Sequence, residues 1–400
     1  MTIRDAVRSF INDEVIPAEP ALAAAGGGEP LDGLRASAKK QGLWALGHPA
    51  ELGGGGLSFR EFVLVNEIIG RSRWGQLALG TVSMQDSIML HRFATEQQQA
   101  RWLNPLVAGE IMPSVGMTEP EVAGSDPTLI RATARLDGDE WVIDAHKWFT
   151  TGASVAAFTT VFVRTEPDDA PPHRALSAII VPKGTPGFEI VRVVPTMGGT
   201  SGDHCELRLT GVRVPRENLL GERGGGFAVA QVRLGPGRIF HAMRWLGQAQ
   251  RAFELMLDRA GTRYAHGSVL GEKGEIQRYI AESAAEIQAA RLLVLDAADA
   301  YDADGRARDQ IAIAKFWVAR VLHEVIDRAI QVHGALGVTG DTPLEEMYRE
   351  ARYARIYDGP DEVHRMTVAR RLLADPSRAP WLRTDRTDAA DGTGGAGSAG

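Results

Sequence analysis

The hydrophobic period changes twice along this chain, and the order of those changes limits the fold more than any other feature. As far as Ile111 the apolar residues recur at helical spacing, with Ile3, Val7, Phe10, Ile11 and Val15 the first series. Pro17 is expected to stop that helix, 21–30 to form a small-residue linker, and 31–46, 59–69, 82–93 and 97–107 to be further helices. After Pro113 the period falls to two. Runs at 131–136, 141–145, 159–164, 176–181 and 188–194 are separated by Pro, Gly and Asp, and Asp137-Gly138-Asp139 is a hairpin turn signal. Cys205, Leu207, Leu209, Val212 and Val214 continue the alternation. From 221 the helical period returns. Ile276, Ile280, Ile287 and Val294 line one face of a long helix; Ile311, Val318, Leu322, Val325 and Val332 line one face of the next. Gly235-Pro236-Gly237 is expected to interrupt the helical stretch before them, which resumes over 238–260. A helix at 360–373 completes a four-helix bundle. The expected fold is multidomain α+β: a helical domain (1–112), an antiparallel β domain built as a barrel or sandwich (113–220), a helical bundle (221–378) and a disordered Gly/Ala-rich tail (379–400).

Charge narrows the partners. The net charge of -7 argues against nucleic acid, whose phosphates need a basic surface. No apolar run approaches membrane-spanning length, and 1–7 has no signal-peptide core. The single cysteine, Cys205, allows no disulfide within the chain. A cytoplasmic enzyme without membrane insertion is the expectation. His323, His333 and His364 lack a metal-ligand spacing, so no metal site is expected.

The stretch 330–370 carries the densest chemistry. A helix should end at the Gly-containing turn 334–340, restart at Asp341-Thr342-Pro343 and run to Tyr357. Asp358-Gly359-Pro360-Asp361-Glu362 then reads as a helix N-terminus, and spacing alone makes Asp358 a cap. The residue pattern adds a second reading. Gln331, Gly334 and Gly337, followed by Tyr357-Asp358-Gly359-Pro360, resemble the C-terminal signature of the acyl-CoA dehydrogenases. In that family the residue at position 358 is the catalytic base, normally Glu. A second motif, 117–126 (MTEPEVAGSD), resembles the family's Thr-Glu-Pro-x-x-Gly-Ser-Asp loop with one residue more.

The resemblance covers roughly 2–373 and implies the family architecture: N-terminal helical domain, middle antiparallel β-barrel-like domain, C-terminal four-helix bundle. It also implies FAD. Val115, Met117 and Thr118 would meet the flavin's pyrimidine edge and Ser125 a pyrophosphate oxygen, with Ser125 also near substrate. Lys147-Trp148-Phe149-Thr150-Thr151 matches the segment against the flavin ring, with Phe149 as the flat wall and Thr150 and Thr151 beside it. Arg263 and His266 match a segment that reaches a neighbouring subunit's FAD, His266 standing where the family has Phe. Gln331, Gly334 and Ala335 match the part holding the adenosine diphosphate, and Pro360 and Glu362 fall in the cofactor-facing loop. Gly235, Arg238, Tyr357 and Gly359 are the implied acyl-CoA contacts. Some family members carry the base on the helix of Arg238, at the position of Gly237, which leaves Asp358 as the candidate here.

The reaction so implied is α,β-desaturation of an acyl-CoA thioester. Asp358 would take the α-proton as hydride passes to flavin N5, and electron-transferring flavoprotein would be the acceptor for a homodimer or homotetramer. The run 357–364 (YDGPDEVH) is closest to the branch of family members ten and eleven, associated with 4-hydroxyacyl-CoA breakdown, which suggests a chain oxygenated at C4 or its phosphate ester. The alternatives are a flavin monooxygenase or oxidase on the same scaffold, or a non-catalytic flavoprotein.

Overall fold

The structure is a computed structural model that describes residues 2–199, 202–305 and 307–379. The tail expected to be disordered lies, from residue 380, outside the described residues. Eight helices come first: α1 (Ile3–Ser9), α2 (Ile16–Ala25), α3 (Gly28–Lys40), α4 (Phe59–Ile69), α5 (Gly75–Ala78), α6 (Met84–Phe93), α7 (Glu96–Gln98) and α8 (Asn104–Ala108). Two expectations need correcting here. The first helix passes Pro17, because a π turn over Phe10–Val15 widens it just before the proline, where the missing N–H and the ring clash would otherwise end it. The segment 21–30 is accordingly helical on both sides of a left-handed turn at Gly26–Gly28 instead of a linker.

The β domain holds β1 (Pro113–Gly116), β2 (Thr133–Asp137), β3 (Glu140–Thr151), β4 (Phe158–Arg164), β5 (Leu176–Pro182), β6 (Phe188–Val193), β7 (His204–Pro215) and β8 (Leu219–Leu220). Their order is β6-β7-β3-β2-β4-β5-β8, with β1 added to β4. Most pairs are antiparallel, and Asp137 pairs with Glu140 across the expected hairpin turn. β1 lies parallel to β4, and β2 meets β4 parallel at one position. Parallel pairing arises because β1 enters the sheet from α8 with other strands between it and β4 in sequence.

The helix α9 (Gly226–Thr262) follows, then the small hairpin β9 (Tyr264–Ala265) and β10 (Ser268–Val269), α10 (Gly274–Asp304), α11 (Arg308–His333), α12 (Leu344–Ala354) and α13 (Asp361–Ala374). α9 runs unbroken through Pro236, against expectation. The residue before that proline is Gly235, and without a Cβ it escapes the clash that normally drives the preceding residue out of the helical region. α12 stops at Ala354, three residues short of the expected Tyr357.

Among the described residues no helix is long and apolar enough to cross a membrane. Two cores form, and the N-terminal helices bridge them. Phe10, Phe62 and Val65 pack with α9–α11, whereas Met89, Trp102 and Leu106 pack on the sheet with Trp141, Phe158 and Phe162. The α4–α9 crossing is close because both sides lack a Cβ. A Cβ on Gly247 would lie 2.0 Å from the Glu67 carbonyl oxygen, and one on Gly70 would lie 2.3 Å from the Arg244 Cα. Backbone cannot yield as a side chain can. Gly247→Ala should therefore lower stability by about 1–3 kcal/mol, read as a lower thermal midpoint, and the loss should be larger than for the uncrowded Gly33→Ala.

Candidate active site

Four elements meet at the corner between α12 and α13. Past Ala354 the chain turns, and Asp358 takes a left-handed conformation at φ 54°, followed by Gly359 at φ 99°. A side chain on Gly359 would be strained at that φ, and its Cβ would sit 2.8 Å from His364 Nε2. An Asp at positive φ is uncommon and is held by its surroundings. Here the clamp acts on carbonyl oxygens. Lys315 Nζ, from α11, donates to Ala354 O at 2.8 Å and Gly359 O at 2.7 Å. Arg238 Nε, from α9, donates to Asp358 O at 2.8 Å, and His364 Nε2 donates to the same oxygen at 3.1 Å. Burial pulls the Lys315 ammonium down to about 8 and the His364 imidazole to about 4, so at neutral pH the lysine is charged and the histidine is not. Asp361 is buried and salt-bridged to Arg355 at 2.8 Å.

The Asp358 carboxylate turns toward α9. His241 Nε2 lies 3.3 Å from Oδ2, and Arg244 Nη2 lies 2.7 Å from His241 Nδ1. Burial alone would raise the carboxyl's pKa; the His241 imidazole, then Arg238 and Arg233, outweigh it and hold Asp358 below the usual carboxylate range. For His241 burial dominates and, with Arg244, lowers its pKa, so the pair is a carboxylate facing a neutral imidazole. Arg233 is salt-bridged to Asp86 of α6 at 2.8 Å. Trp245 Nε1 donates to the Tyr357 hydroxyl at 2.9 Å, and both rings pack near His241. At Gly237 a Cβ would meet Gln85 Oε1 at 2.6 Å, so a side chain there requires that glutamine to move.

The other sequence candidates fall in two further places. Met117 and Thr118 sit where β1 leaves the sheet, and Val115 is within β1. This loop is tied down from beneath by a buried ion pair. Glu119 accepts from Lys147 Nζ at 2.8 Å and from the N–H groups of Arg131 at 2.7 Å and Ala132 at 2.9 Å; Lys147 also donates to Met117 O at 3.1 Å. Ser125 is exposed at the loop tip. On β3, Phe149 is 43% exposed at φ 51°, Thr151 shares a hydrogen bond with His204 Nδ1 at 2.9 Å, and Thr150 points inward. Trp148 Nε1 and Thr150 Oγ1 are buried without a hydrogen-bond partner. An exposed flat ring beside unpaired polar atoms suits a group that is aromatic with polar edges, so these residues fit a flavin.

Arg263, His266, Gln331, Gly334 and Ala335 are exposed, the first two around the β9–β10 hairpin and the others at the end of α11. Glu362 is exposed on α13, and Pro360 is its N-cap. Gly235 lies within α9, and a Cβ there would sit 3.6 Å from the Tyr301 ring. The corner thus gathers Asp358, Arg238, Tyr357 and Gly359 of the sequence candidates. It adds His241, Arg244 and Lys315, which reasoning from sequence passed over. Their one signal was that polar residues interrupt the apolar face of α9 and α11 at positions that are otherwise core.

Comparison with known proteins shows the family of the chain. The chain matches the acyl-CoA dehydrogenase N-terminal domain over 1–110, the middle domain over 114–212 and the C-terminal domain over 224–373. It therefore belongs to the acyl-CoA dehydrogenase family, a class of FAD-dependent oxidoreductases. It is 46% identical over 348 residues to "Probable acyl-CoA dehydrogenase FadE2" of Mycobacterium tuberculosis, covering 85% of this chain and 84% of that one. It is 40% identical to mouse acyl-CoA dehydrogenase family member 10 over 92% of this chain, and spans 36% of that relative's length. The crystal structure of acyl-CoA dehydrogenase from Geobacillus kaustophilus superposes with a TM-score of 0.83 at 29% identity, over 92% of this chain and 96% of that one.

The Glu119–Lys147 pair makes a direct prediction. Burial works against both charges, yet Lys147 and the two backbone N–H groups keep Glu119 below its ordinary pKa. Glu119→Gln would leave the Lys147 ammonium buried and uncompensated, costing about 3–5 kcal/mol in thermal or denaturant unfolding. Since the folded-state pKa of Glu119 is depressed, its contribution is present above the unfolded value and lost as pH falls through the folded one. Acid unfolding should shift accordingly and be less steep in the variant.

Proposed function

We propose that this chain desaturates an acyl-CoA thioester at Cα–Cβ, with Asp358 as the base that removes the α-proton. The single observation that carries this reading is a charged, half-buried carboxylate held in a left-handed backbone conformation between α9 and the α12–α13 corner. A base must be unprotonated at neutral pH and fixed in place; the low pKa serves the first need and the clamped carbonyls the second. No backbone acceptor among the described residues takes the Asp358 N–H, which leaves it free to donate to a thioester oxygen and favour enolate-like charge. Acyl-CoA bound beside Asp358 would displace water from the carboxylate and raise its pKa, strengthening it as a base.

Bound FAD would accept the hydride from the β-carbon. Val115, Met117, Thr118 and Ser125 would hold it by backbone and hydroxyl groups, Phe149 and Thr151 would wall the ring, and Trp148 and Thr150 would supply polar edges. Exposed Arg263, His266, Gln331, Gly334 and Ala335 suit contacts to the cofactor of a neighbouring copy, in a homodimer or homotetramer, with Pro360 and Glu362 at the same seam. Gly235, Arg238, Tyr357 and Gly359 would line the acyl-CoA path. Electron-transferring flavoprotein is the proposed acceptor. The Asp-Gly-Pro-Asp-Glu run at 358–362, similar to the branch of family members ten and eleven, favours a chain oxygenated at C4, free or as its phosphate ester, over a plain hydrocarbon chain.

Anaerobic mixing with an acyl-CoA panel tests the reading through loss of flavin colour. Asp358→Asn should bleach about 10²–10⁴-fold more slowly while retaining FAD. Near-normal bleaching would remove Asp358 as the base; it would not restore the cap that spacing suggested, since Pro360 is the N-cap of α13. Arg263→Ala should weaken FAD retention with the fold intact; unchanged flavin affinity would remove the between-copy contact. Equal or faster reaction of unsubstituted chains at every length would remove the C4 oxygen.

A further inference from the structure

The residues behind Asp358 form a line that an isolated base does not need. Arg244, His241 and Asp358 lie in a line: Arg244 Nη2 is 2.7 Å from His241 Nδ1, one helical turn away on α9, and His241 Nε2 approaches Asp358 Oδ2 at 3.3 Å, outside hydrogen-bond geometry, which leaves that buried oxygen without a hydrogen-bond partner among the described residues. An arginine can only donate, so the His241 Nδ1 facing it must be the accepting nitrogen. A neutral imidazole accepting at Nδ1 carries its proton on Nε2, the nitrogen turned to Asp358. Among the described residues no carboxylate is salt-bridged to Arg244, although it is partly buried, so the imidazole is its hydrogen-bond partner in the chain. Gly70 and Gly247 let α4 approach α9 just there, fixing the Arg244 backbone against the end of α4.

Resting on the assignment of Asp358 as base, we propose that Arg244 and His241 are positioning residues that fix one imidazole tautomer and so aim an N–H at the Asp358 carboxylate. The carbonyl clamp sets where the Asp358 backbone lies, and this line sets where its carboxylate points. One oxygen is turned to His241, which leaves the other to meet the α-proton. The same N–H favours the carboxylate over the carboxylic acid, keeping the base unprotonated before substrate arrives.

Other charges share the neighbourhood and would remain in a variant. On α9 these are Arg233, offset by Asp86 of α6, and Arg238, bound to the Asp358 carbonyl. Lys315 of α11 is held by two carbonyls, Asp361 of α13 is salt-bridged to Arg355, and His364 is neutral at neutral pH. Tyr357, whose pKa burial raises, stays protonated throughout the range of interest. None of these groups donates to the Asp358 carboxylate from the side of His241.

The test uses the FAD-loaded protein and two readouts across pH: the anaerobic bleaching rate with one acyl-CoA, and exchange of that substrate's α-hydrogen with deuterium oxide by mass spectrometry. His241→Leu should displace the acid limb of both profiles upward by about one pH unit or more. Its plateau rate should fall ~10-fold or more as the carboxylate loses its aim. His241→Gln, which can present an N–H at nearly the same place, should recover most of both effects. Arg244→Met frees Nδ1 to take a proton and removes one of the causes that lower the imidazole's pKa, so an additional ionisation absent from the wild type should enter the profile from its acid side. An unmoved acid limb in His241→Leu, or a Gln variant no better than Leu, would overturn the proposal. Asp358→Asn, run in parallel, separates the causes. If it retains bleaching and exchange, the base assignment has failed; if it is inactive while the His241 and Arg244 variants behave as wild type, the positioning line has failed. FAD absorbance in each variant reports folding, and the Gln and Met variants keep the test decisive if the Leu variant does not fold.

Discussion

One buried ammonium organises the C-terminal half of this molecule. Lys315 reaches from the first third of α11 to the last carbonyl of α12 and to that of Gly359, and in doing so ends one helix and orients the next. A helix C-terminus leaves carbonyls unpaired, and a cation there satisfies them and opposes the negative end of the helix dipole. Removing that ammonium would leave two carbonyls buried in a corner of left-handed backbone, each costing about 1–3 kcal/mol unpaired. The Asp358 conformation is thus a product of α11 as much as of its own stretch of chain. The β domain repeats the device where Lys147 and Glu119 tie a loop to the strand beneath it.

Much of the architecture was legible in the sequence because a hydrophobic period is a local property. The faces of α11 marked by Ile311, Val318, Leu322, Val325 and Val332 are all buried. Where reading failed, prolines were the cause. Pro17 and Pro236 read as stops in the sequence, but a π turn before one and a glycine before the other relieve the clash that a proline usually brings. Neither relief is visible in propensity, since a π turn depends on what the helix packs against. The end of α12 was misjudged for a related reason: the clamp that stops it comes from Lys315, 39 residues away.

The site divided along the same line. Motifs in which neighbouring residues act together, such as Tyr357–Pro360 and Met117–Asp126, could be matched as strings. His241, Arg244 and Lys315 belong to no string. Each is a polar residue on an otherwise apolar helical face, and only the fold supplies the partner that explains it. His364 has no metal-ligand spacing, and its contact, the Asp358 carbonyl, is one no spacing rule would propose.

The clamp grips the carbonyls of Ala354, Asp358 and Gly359, and none of those bonds involves the side chain at 358. Backbone placement and side-chain identity are therefore separately specified at this corner. A lineage could exchange the acid at that position for a longer or shorter one without dismantling the turn that presents it, and would then need to adjust only what lies in front. A shorter acid leaves more room ahead of it, and a polar chain has more use for that room than a hydrocarbon. The corner is a fixed mount for an interchangeable tool.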